Sequence, residues 1–166
     1  MNHIVISCIG ADQAGLVESL SKTISQHHGN WQVSSLHHLS GFFAGVIEAE
    51  VEKSHCSALI SALHNINGLN CQVEIAESNL PEVKTNLVLE LTSNDRVGII
   101  QEISSVILQQ GGNLIKLVSS QESAPHTGQL MFKAKAQIAV NEESVDDLIE
   151  SLEQIADDLM VDIARP

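Results

Sequence analysis

Aromatic and basic side chains are scarce in this sequence of 166 residues. Tyrosine is absent, and one tryptophan and three phenylalanines make up the whole aromatic content. Eight lysines and arginines stand against 21 aspartates and glutamates, so the formal net charge is −13. Nucleic acids are bound mainly by basic groups that neutralise phosphates and by aromatic rings that stack on bases. The composition therefore excludes direct DNA or RNA binding as the expected function, and it disfavours attachment to anionic membranes.

Cysteine and long apolar runs are also scarce. Cys8, Cys56 and Cys71 are odd in number, far apart and without Cys-x-x-Cys spacing, which argues against a disulfide framework or a zinc knuckle. No apolar run approaches the roughly 20 residues that span a bilayer. We therefore expect a cytoplasmic protein that is not inserted in a membrane.

Motifs for nucleophilic catalysis and phosphate binding are missing. The chain has no Gly-x-Ser-x-Gly and no glycine-rich phosphate loop. Its eight histidines include the neighbours His27 and His28 and the neighbours His37 and His38, and neither spacing is a ligand motif. On a strand, adjacent rings point to opposite faces. The sequence predicts no metal site and no cofactor.

The sequence repeats itself at an offset of 83 residues, half of its length. Seven identities fall in the ungapped alignment of residues 8–30 with residues 91–113. They include three pairs that matter below: Asp12 with Asp95, Gly15 with Gly98, and Asn30 with Asn113. Beyond Asn113 the two copies can be aligned only if a few residues are inserted. The chain is therefore expected to contain two copies of one module.

Each copy predicts the order strand, helix, strand, strand, helix, strand. In the first copy, the strands are predicted at 3–9, 31–40, 42–51 and 69–77, and the helices at 14–28 and 54–66. In the second copy, the strands are predicted at 87–92, 113–123, 129–140 and 158–164, with a helix through Ile99–Ile107 and another at 142–157. This is the ferredoxin-like βαββαβ arrangement, an α+β fold with two helices on one face of an antiparallel sheet. We expect domains at 1–78 and 86–166, joined by a short linker at 79–85 and packed in tandem.

The turn between the first strand and the first helix of each copy is the most informative local feature. Both copies show Asp-x-x-Gly followed by two aliphatic residues, at 12–17 and 95–100. Backbone N–H groups at a helix start lack partners and favour a carboxylate. Asp12 and Asp95 can cap the helices, and the glycines let a ligand approach the backbone. Eighteen residues after each Asp, an Asn opens the next strand, and this strand end is expected beside the turn or close to the other domain.

Together, the turn, the helix of about 15 residues and the Gly-Asn entry into the second strand resemble the ACT domain, a regulatory module that binds amino acids. The resemblance implies a small amino-acid effector held at interfaces between ACT domains by the turn and the Asn. Where many ACT domains carry Pro before the turn glycine, this chain has Ala14 and Val97. The candidate ligand-binding residues are Asp12, Gly15, Leu16 and Asn30 in the first copy, and Asp95, Gly98, Ile99 and Asn113 in the second.

Arg96 is a further candidate, because its guanidinium can grip a carboxylate with two hydrogen bonds. The alternative is an exposed arginine whose charge is offset by Asp95. Arg96 and Asn113 also loosely imitate the catalytic pair of acylphosphatases, which keeps a small acylphosphatase-like enzyme open as an alternative function.

Two ACT-like copies without a catalytic domain are similar to the glycine cleavage system transcriptional repressor family. The resemblance implies a non-enzymatic repressor of the glycine cleavage system that acts through a DNA-binding regulatory protein. Residues 1–83 hold 2 basic and 8 acidic groups and residues 84–166 hold 6 and 13, so neither half is suited to bind DNA itself. A generic amino-acid-binding or protein-interaction module is the other alternative. The acidic last helix is either a solvated face or a docking surface for a basic partner, and a homo-oligomer stays possible.

Overall fold

The computed structural model describes residues 1–76 and 83–164, and the chain divides into two compact units. The first unit comprises β1 (Asn2–Ala11), α1 (Leu16–Gln26), β2 (Asn30–Leu39), β3 (Phe42–Val51), α2 (Lys53–His64) and β4 (Asn70–Ala76). The second comprises β5 (Leu87–Asn94), α3 (Ile99–Gln109), β6 (Asn113–Ser123), β7 (Leu130–Ala139), α4 (Val145–Glu153) and β8 (Met160–Ile163), with a 3-10 turn (Glu142–Ser144) before α4. The predicted α+β fold, βαββαβ repeated twice, is confirmed.

Each unit is built on a four-stranded antiparallel sheet. The strand orders are β2-β3-β1-β4 and β6-β7-β5-β8. Along β1, buried Ile4 and Ile6 alternate with exposed Val5 and Ser7, so one sheet face is covered and the other is open. The helices cover the first face with stripes at helical spacing: Leu16, Leu20 and Ile24 on α1, and Ile99, Ile103 and Ile107 on α3. Each unit therefore has its own apolar core.

The two units differ in the hairpin that joins their second and third strands. Ser40 and Gly41 form a two-residue turn in the first unit, with φ angles of 51° and 84°. Six residues, 124–129, make the corresponding loop in the second unit. Equivalent residues are therefore 83 apart before this loop and 89 apart after it, as the pairings of His38 with Phe43 and of Gln121 with Phe132 show. The insertion expected from the sequence lies in this loop.

The helices are shorter than their patterns predict. Helix α1 covers Leu16–Gln26 instead of 14–28, and α4 ends at Glu153 instead of 157. Gly29 is not the left-handed residue that ends α1, because His28 takes that role with a φ of 59°. A Cβ at Gly29 would lie 2.8 Å from Cγ2 of Ile24, so close packing requires glycine there.

The boundary predictions near the middle of the chain are tested only in part. The end of the first domain at 78 and most of the linker at 79–85 lie outside the described residues. Residues 83–86 have no regular secondary structure, and β5 begins at Leu87. Within the described ranges, no helix is long and apolar enough to cross a membrane.

Candidate ligand-binding turns

The first turn connects β1 to α1 and is anchored to the β2–β3 hairpin. The backbone N–H of Asp12 donates to the carbonyl of Gly41 at 2.9 Å, and the Asp12 carboxylate lies 2.8 Å from Nδ1 of His38. Gly15, with a φ of 88°, occupies the position before the helix, and no side chain caps α1. The prediction that Asp12 caps the helix is therefore wrong. The left-handed glycine separates Asp12 from the helix start, and the hairpin holds the carboxylate instead.

The second turn repeats this geometry. The N–H of Asp95 donates to the carbonyl of Leu130 at 2.9 Å, and its carboxylate accepts a hydrogen bond from Nε2 of Gln121. Gly98 has a φ of 89°, and α3 also begins without a side-chain cap, so Asp95 is not a helix cap either. Because Gln121 is the equivalent of His38, each turn Asp contacts the same position of the second strand of its unit, β2 or β6.

Both helix starts leave backbone donors without a partner inside the helix. The first helical hydrogen bonds run from Ser19 to Gly15 at 2.9 Å and from Glu102 to Gly98 at 3.1 Å. The N–H groups just before Ser19 and Glu102 therefore have no helical acceptor, although that of Ile99 donates to the carbonyl of Arg96 in the turn at 3.4 Å. They stand at the positive end of the helix dipole, and an exposed Asp lies three residues before the glycine of the same turn. Each turn thus carries donors for an anion and a carboxylate for a cation, the two kinds of group that bind a zwitterion.

The side chains of two candidate residues belong to the core. Leu16 and Ile99, the first residues of α1 and α3, are each only 4% exposed. Only their backbone groups can meet a ligand. The space beside the preceding glycines is open, since a Cβ at Gly15 or Gly98 would have no atom within 4 Å.

Arg96 is paired with Glu102 rather than with Asp95. Its Nη1 and Nη2 donate to the two carboxylate oxygens of Glu102 at 2.8 and 2.5 Å. These hydrogen bonds raise the pKa of Arg96 and lower the pKa of Glu102, and the charge of Asp158 also favours the guanidinium. An incoming carboxylate would therefore have to compete with Glu102 for Arg96. The equivalent Gln13 of the first unit lies over Gly68, where a Cβ would come within 2.4 Å of its Nε2.

Asn30 and Asn113 lie at the opposite end of each sheet from the turns. Asn30 faces Glu50, and Asn113 faces Ala139. Asn30 precedes His38 by eight residues, which corresponds to about 26 Å along a strand. The expectation that this strand end lies beside the turn within one unit is wrong. Helix α1 carries the chain away from the turn, so β2 begins where the helix ends.

The same separation removes the basis of the acylphosphatase alternative. Asn113 precedes Gln121, the partner of the turn residue Asp95, by eight residues, so it lies about 26 Å from the turn that carries Arg96. The guanidinium itself is held by Glu102. The second unit therefore does not bring Arg96 and Asn113 together.

Sequence reasoning missed the contacts of His38 and Gln121. The offset of 83 aligns these two residues, as it aligns Asp12 with Asp95, but the alignment of an imidazole with an amide gave no identity. Elsewhere, the rings of His28 and His55 lie 4.6 Å apart, and Nδ1 of His55 is 3.6 Å from Glu52. Over the described ranges, no three residues among His, Cys, Asp and Glu are grouped so that they could hold a metal ion.

Comparison with known proteins gives a family-model match to the first unit and similar folds over the chain. Residues 2–76 match the family model of the ACT domain. An unknown protein from Galdieria sulphuraria has a similar structure, with a TM-score of 0.77 and 22% identity over 98% of this chain and 96% of that one. A "putative glycine cleavage system transcriptional repressor" matches with a TM-score of 0.73 and 14% identity over 99% of this chain and 98% of that one. At these identities the likeness shows the fold alone. No curated protein matches the sequence.

Proposed function

We propose that the chain is a tandem ACT-domain protein and a non-enzymatic regulator that senses a small amino acid. Residues 2–76 match the ACT-domain model, and the second unit repeats the fold of the first. We further propose that glycine is the effector and that the protein represses the glycine cleavage system through a DNA-binding regulatory protein in the cytoplasm. The observation that carries the sensing part is the turn itself. In both units a helix start without a side-chain cap follows, in the same turn, an exposed Asp.

In this proposal the effector binds as a zwitterion. Its carboxylate accepts hydrogen bonds from the backbone N–H groups at the start of α1 or α3, apart from that of Ile99, which donates to Arg96. Its ammonium group meets the carboxylate of Asp12 or Asp95, which His38 or Gln121 holds in place. The open space beside Gly15 and Gly98 admits the ligand to the backbone. Asn30 and Asn113 lie too far from these turns for one amino acid to contact both within a unit, so the turn alone carries the proposal.

A thermal-shift panel of amino acids tests the sensing part. A ligand of the native state at a concentration of 100 Kd stabilises it by about 2.7 kcal/mol. We expect glycine to raise the melting temperature of the wild type. Asp12→Asn with Asp95→Asn should remove that rise, because the amide keeps the shape of the side chain and loses its charge. Asp147→Asn on α4 is the matched control, since Asp147 is an exposed acidic residue outside the turns.

Two results of this panel would count against the proposal. If no amino acid shifts the melting temperature at millimolar concentration, the sensing part fails. If another amino acid shifts it and glycine does not, a generic amino-acid-binding module becomes the better description.

The repressor part is supported by the full-length fold match and by the acidity of the chain. Net charges of −6 in residues 1–83 and −7 in residues 84–166 oppose direct contact with DNA. Deletion of the gene should raise transcription of the glycine cleavage genes in cells grown without glycine. In a gel-shift assay, the purified chain alone should leave the promoter DNA unshifted and should change its mobility only together with a DNA-binding protein. Unchanged transcription in the deletion strain would refute this part.

A further inference from the structure

Two of the three cysteines are far apart in the sequence but lie side by side in the first sheet. The register of β1 with β4 places Cys8 directly opposite Cys71. Residues that face each other in this way point to the same side of a sheet, and here it is the covered side, because each cysteine is only 4% exposed. Both thiols are free. The fold thus brings together a pair of thiols that their sequence positions did not predict.

The hydrogen bonds of β1 show that this is a close pair. In a central antiparallel strand, each residue turns its N–H and C=O toward one neighbouring strand, and the next residue turns toward the other. Asp12 turns toward β3, since its N–H donates to Gly41 at 2.9 Å. The register of β1 with β3 runs without a bulge, so Cys8, four residues earlier, also turns its backbone toward β3. Cys8 and Cys71 are therefore a non-hydrogen-bonded pair, in which the Cα atoms are about 4.5 Å apart.

That spacing suits a disulfide. Disulfides join Cα atoms that are roughly 4.4–6.8 Å apart and Cβ atoms that are roughly 3.5–4.5 Å apart. The Cβ atoms of directly opposite residues are about 4.5–5.5 Å apart, and they are closest in non-hydrogen-bonded pairs. In the reduced chain, Sγ of Cys8 lies 3.6 Å from the carbonyl oxygen of Gly45 on β3. Rotation about the Cα–Cβ bond of Cys8 brings this sulfur toward β4 with little movement of the backbone.

The second unit fills the same two positions with hydrocarbon side chains. Leu91 is the equivalent of Cys8, and the register of β5 with β8 places it opposite Val161. Leu91 is 1% exposed, so this position belongs to the core in both units. Because an aliphatic pair packs this part of the core, the fold does not require sulfur there. Packing alone therefore gives no reason for two thiols that face each other.

The position of β4 gives a reagent access to the pair. Burial raises the pKa of Cys8 and of Cys71, so both thiols stay protonated and react slowly while β4 is in place. In the strand order β2-β3-β1-β4, however, β4 is an edge strand. Local opening of one edge strand costs less free energy than global unfolding, and it exposes both sulfurs while β1 stays paired with β3.

We propose that Cys8 and Cys71 are a reversible modification site, at which a low-molecular-weight disulfide such as glutathione disulfide oxidises the two thiols to a cross-strand disulfide. The thiolate of one cysteine attacks glutathione disulfide, forms a mixed disulfide and releases one glutathione thiolate. The other cysteine then attacks the mixed disulfide at the protein sulfur and releases the second glutathione. The protein loses two electrons and two protons, and glutathione disulfide is reduced to two thiols.

Such a bond ties β4 to the strand that leads into the Asp12 turn. In a reducing compartment it forms only transiently, as redox-sensing disulfides do. This inference does not depend on amino-acid sensing.

Equilibration of the full chain in glutathione buffers tests the pair. The reduced chain is unfolded in urea and diluted into buffers with stepped ratios of reduced to oxidised glutathione, and the native chain is incubated in the same buffers. Because equilibrium is approached from both directions, slow access to the native thiols cannot hide the bond. We expect the free thiols to fall from three to one and peptide mapping to find Cys8 joined to Cys71. The melting temperature should rise by at least about 5 °C, because the bond closes a long loop, and dithiothreitol should reverse the change.

Cys56→Ala is the matched control, because Cys56 is also buried, with 3% exposed, but lies on α2. This variant should form the same cross-link with the same rise in melting temperature. Cys8→Ala should lose both effects, and so should Cys71→Val, which introduces the residue of the second unit. Circular dichroism confirms that each variant is folded.

Two results would overturn the proposal. One is a refolded wild type that keeps three free thiols in glutathione disulfide. The other is a cross-link that joins Cys56 to one of the pair, or a rise in melting temperature that folded Cys71→Val retains, because the facing thiols would then not be the site of oxidation.

Discussion

The carboxylate of Asp12 lies 2.8 Å from Nδ1 of His38, and this contact ties the turn after β1 to the far end of β2. The second unit has the same contact with different chemistry, since Asp95 accepts a hydrogen bond from the amide of Gln121. An imidazole and an amide share one property here, which is a nitrogen that can donate to a carboxylate. The geometry of the turn therefore depends on a donor at this position and not on a full positive charge.

Replacement of His38 by the residue of the second unit should be nearly neutral. In His38→Gln the amide can donate to Asp12, so we expect a change below about 0.5 kcal/mol in the free energy of unfolding. His38→Ala removes the donor and should cost up to about 1 kcal/mol, a small loss because the pair is exposed. Urea denaturation at pH 7 measures both. Equal losses in the two variants would show that the contact does not stabilise the turn.

The turn glycines should be needed because of their left-handed backbone conformation and not because a side chain would collide with neighbouring atoms. Gly15 and Gly98 have φ angles of 88° and 89°, and a Cβ at either position meets no atom within 4 Å. Gly98→Ala should therefore cost about 1–2 kcal/mol from left-handed strain alone. Gly98→Asn should cost less, because asparagine tolerates this conformation.

Gly29→Ala is the contrasting variant. Its Cβ would meet Ile24 at 2.8 Å, so its cost should come from packing. Unfolding free energies from urea titrations separate the two mechanisms: asparagine should relieve the loss at Gly98 and should increase it at Gly29.

Much of the fold could be predicted because the sequence contains two copies of the same module. A weak pattern in one copy was supported by the other, as with Leu16, Leu20 and Ile24 against Ile99, Ile103 and Ile107. Strand β3 was predicted to the residue, since Gly41 and the end of the apolar alternation mark its limits. Helix ends were predicted less well. Polar residues such as Asp157 fit a helical pattern, but only the packing of the chain decides that α4 stops at Glu153.

The candidate site was harder to predict, because it depends on which strand ends meet. A short motif suggested that Asp12 caps α1, yet Gly15 holds the capping position and His38 holds the carboxylate. The number of residues between Asp12 and Asn30 does not show at which end of the sheet Asn30 lies. The length of α1 decides this, because a helix that spans the sheet delivers the chain to the end opposite the turn. The partner of Arg96 is decided in the same way, by the helical turn that brings Glu102 back to it.

The Arg96–Glu102 pair should make the free energy of unfolding fall more steeply as the solution becomes acidic. The guanidinium lowers the pKa of Glu102 in the folded chain, so the pair stabilises the fold above the unfolded pKa of about 4.3. That contribution is lost as the pH falls through the lower folded value. Glu102→Gln should therefore flatten the decline in unfolding free energy between about pH 5 and pH 3. Glu18→Gln is the matched control, because Glu18 is also an exposed glutamate in the first turn of a helix.

The buried cysteines should make the free energy of unfolding fall as the pH rises into the alkaline range, which is the opposite of the effect of the Arg96–Glu102 pair. Cys71 lies directly opposite Cys8 on the paired strands β1 and β4, and both side chains are 4% exposed. Burial, and then the nearness of Cys8, raises the pKa of Cys71 to about 11. An unfolded thiol titrates near 8.5, so folding opposes its deprotonation.

The stability that depends on Cys71 is therefore complete below about pH 8.5 and decreases as the pH rises toward the folded value. Cys71→Ala should lower the free energy of unfolding at pH 7. Between pH 8.5 and 10.5, however, the free energy of unfolding of this variant should fall less than that of the wild type. Alkylation gives an independent measurement, because the native thiol is protonated and shielded at pH 8 and should react far more slowly than in urea. Equal rates in the two states would contradict this assignment of the pKa and of the burial that causes it.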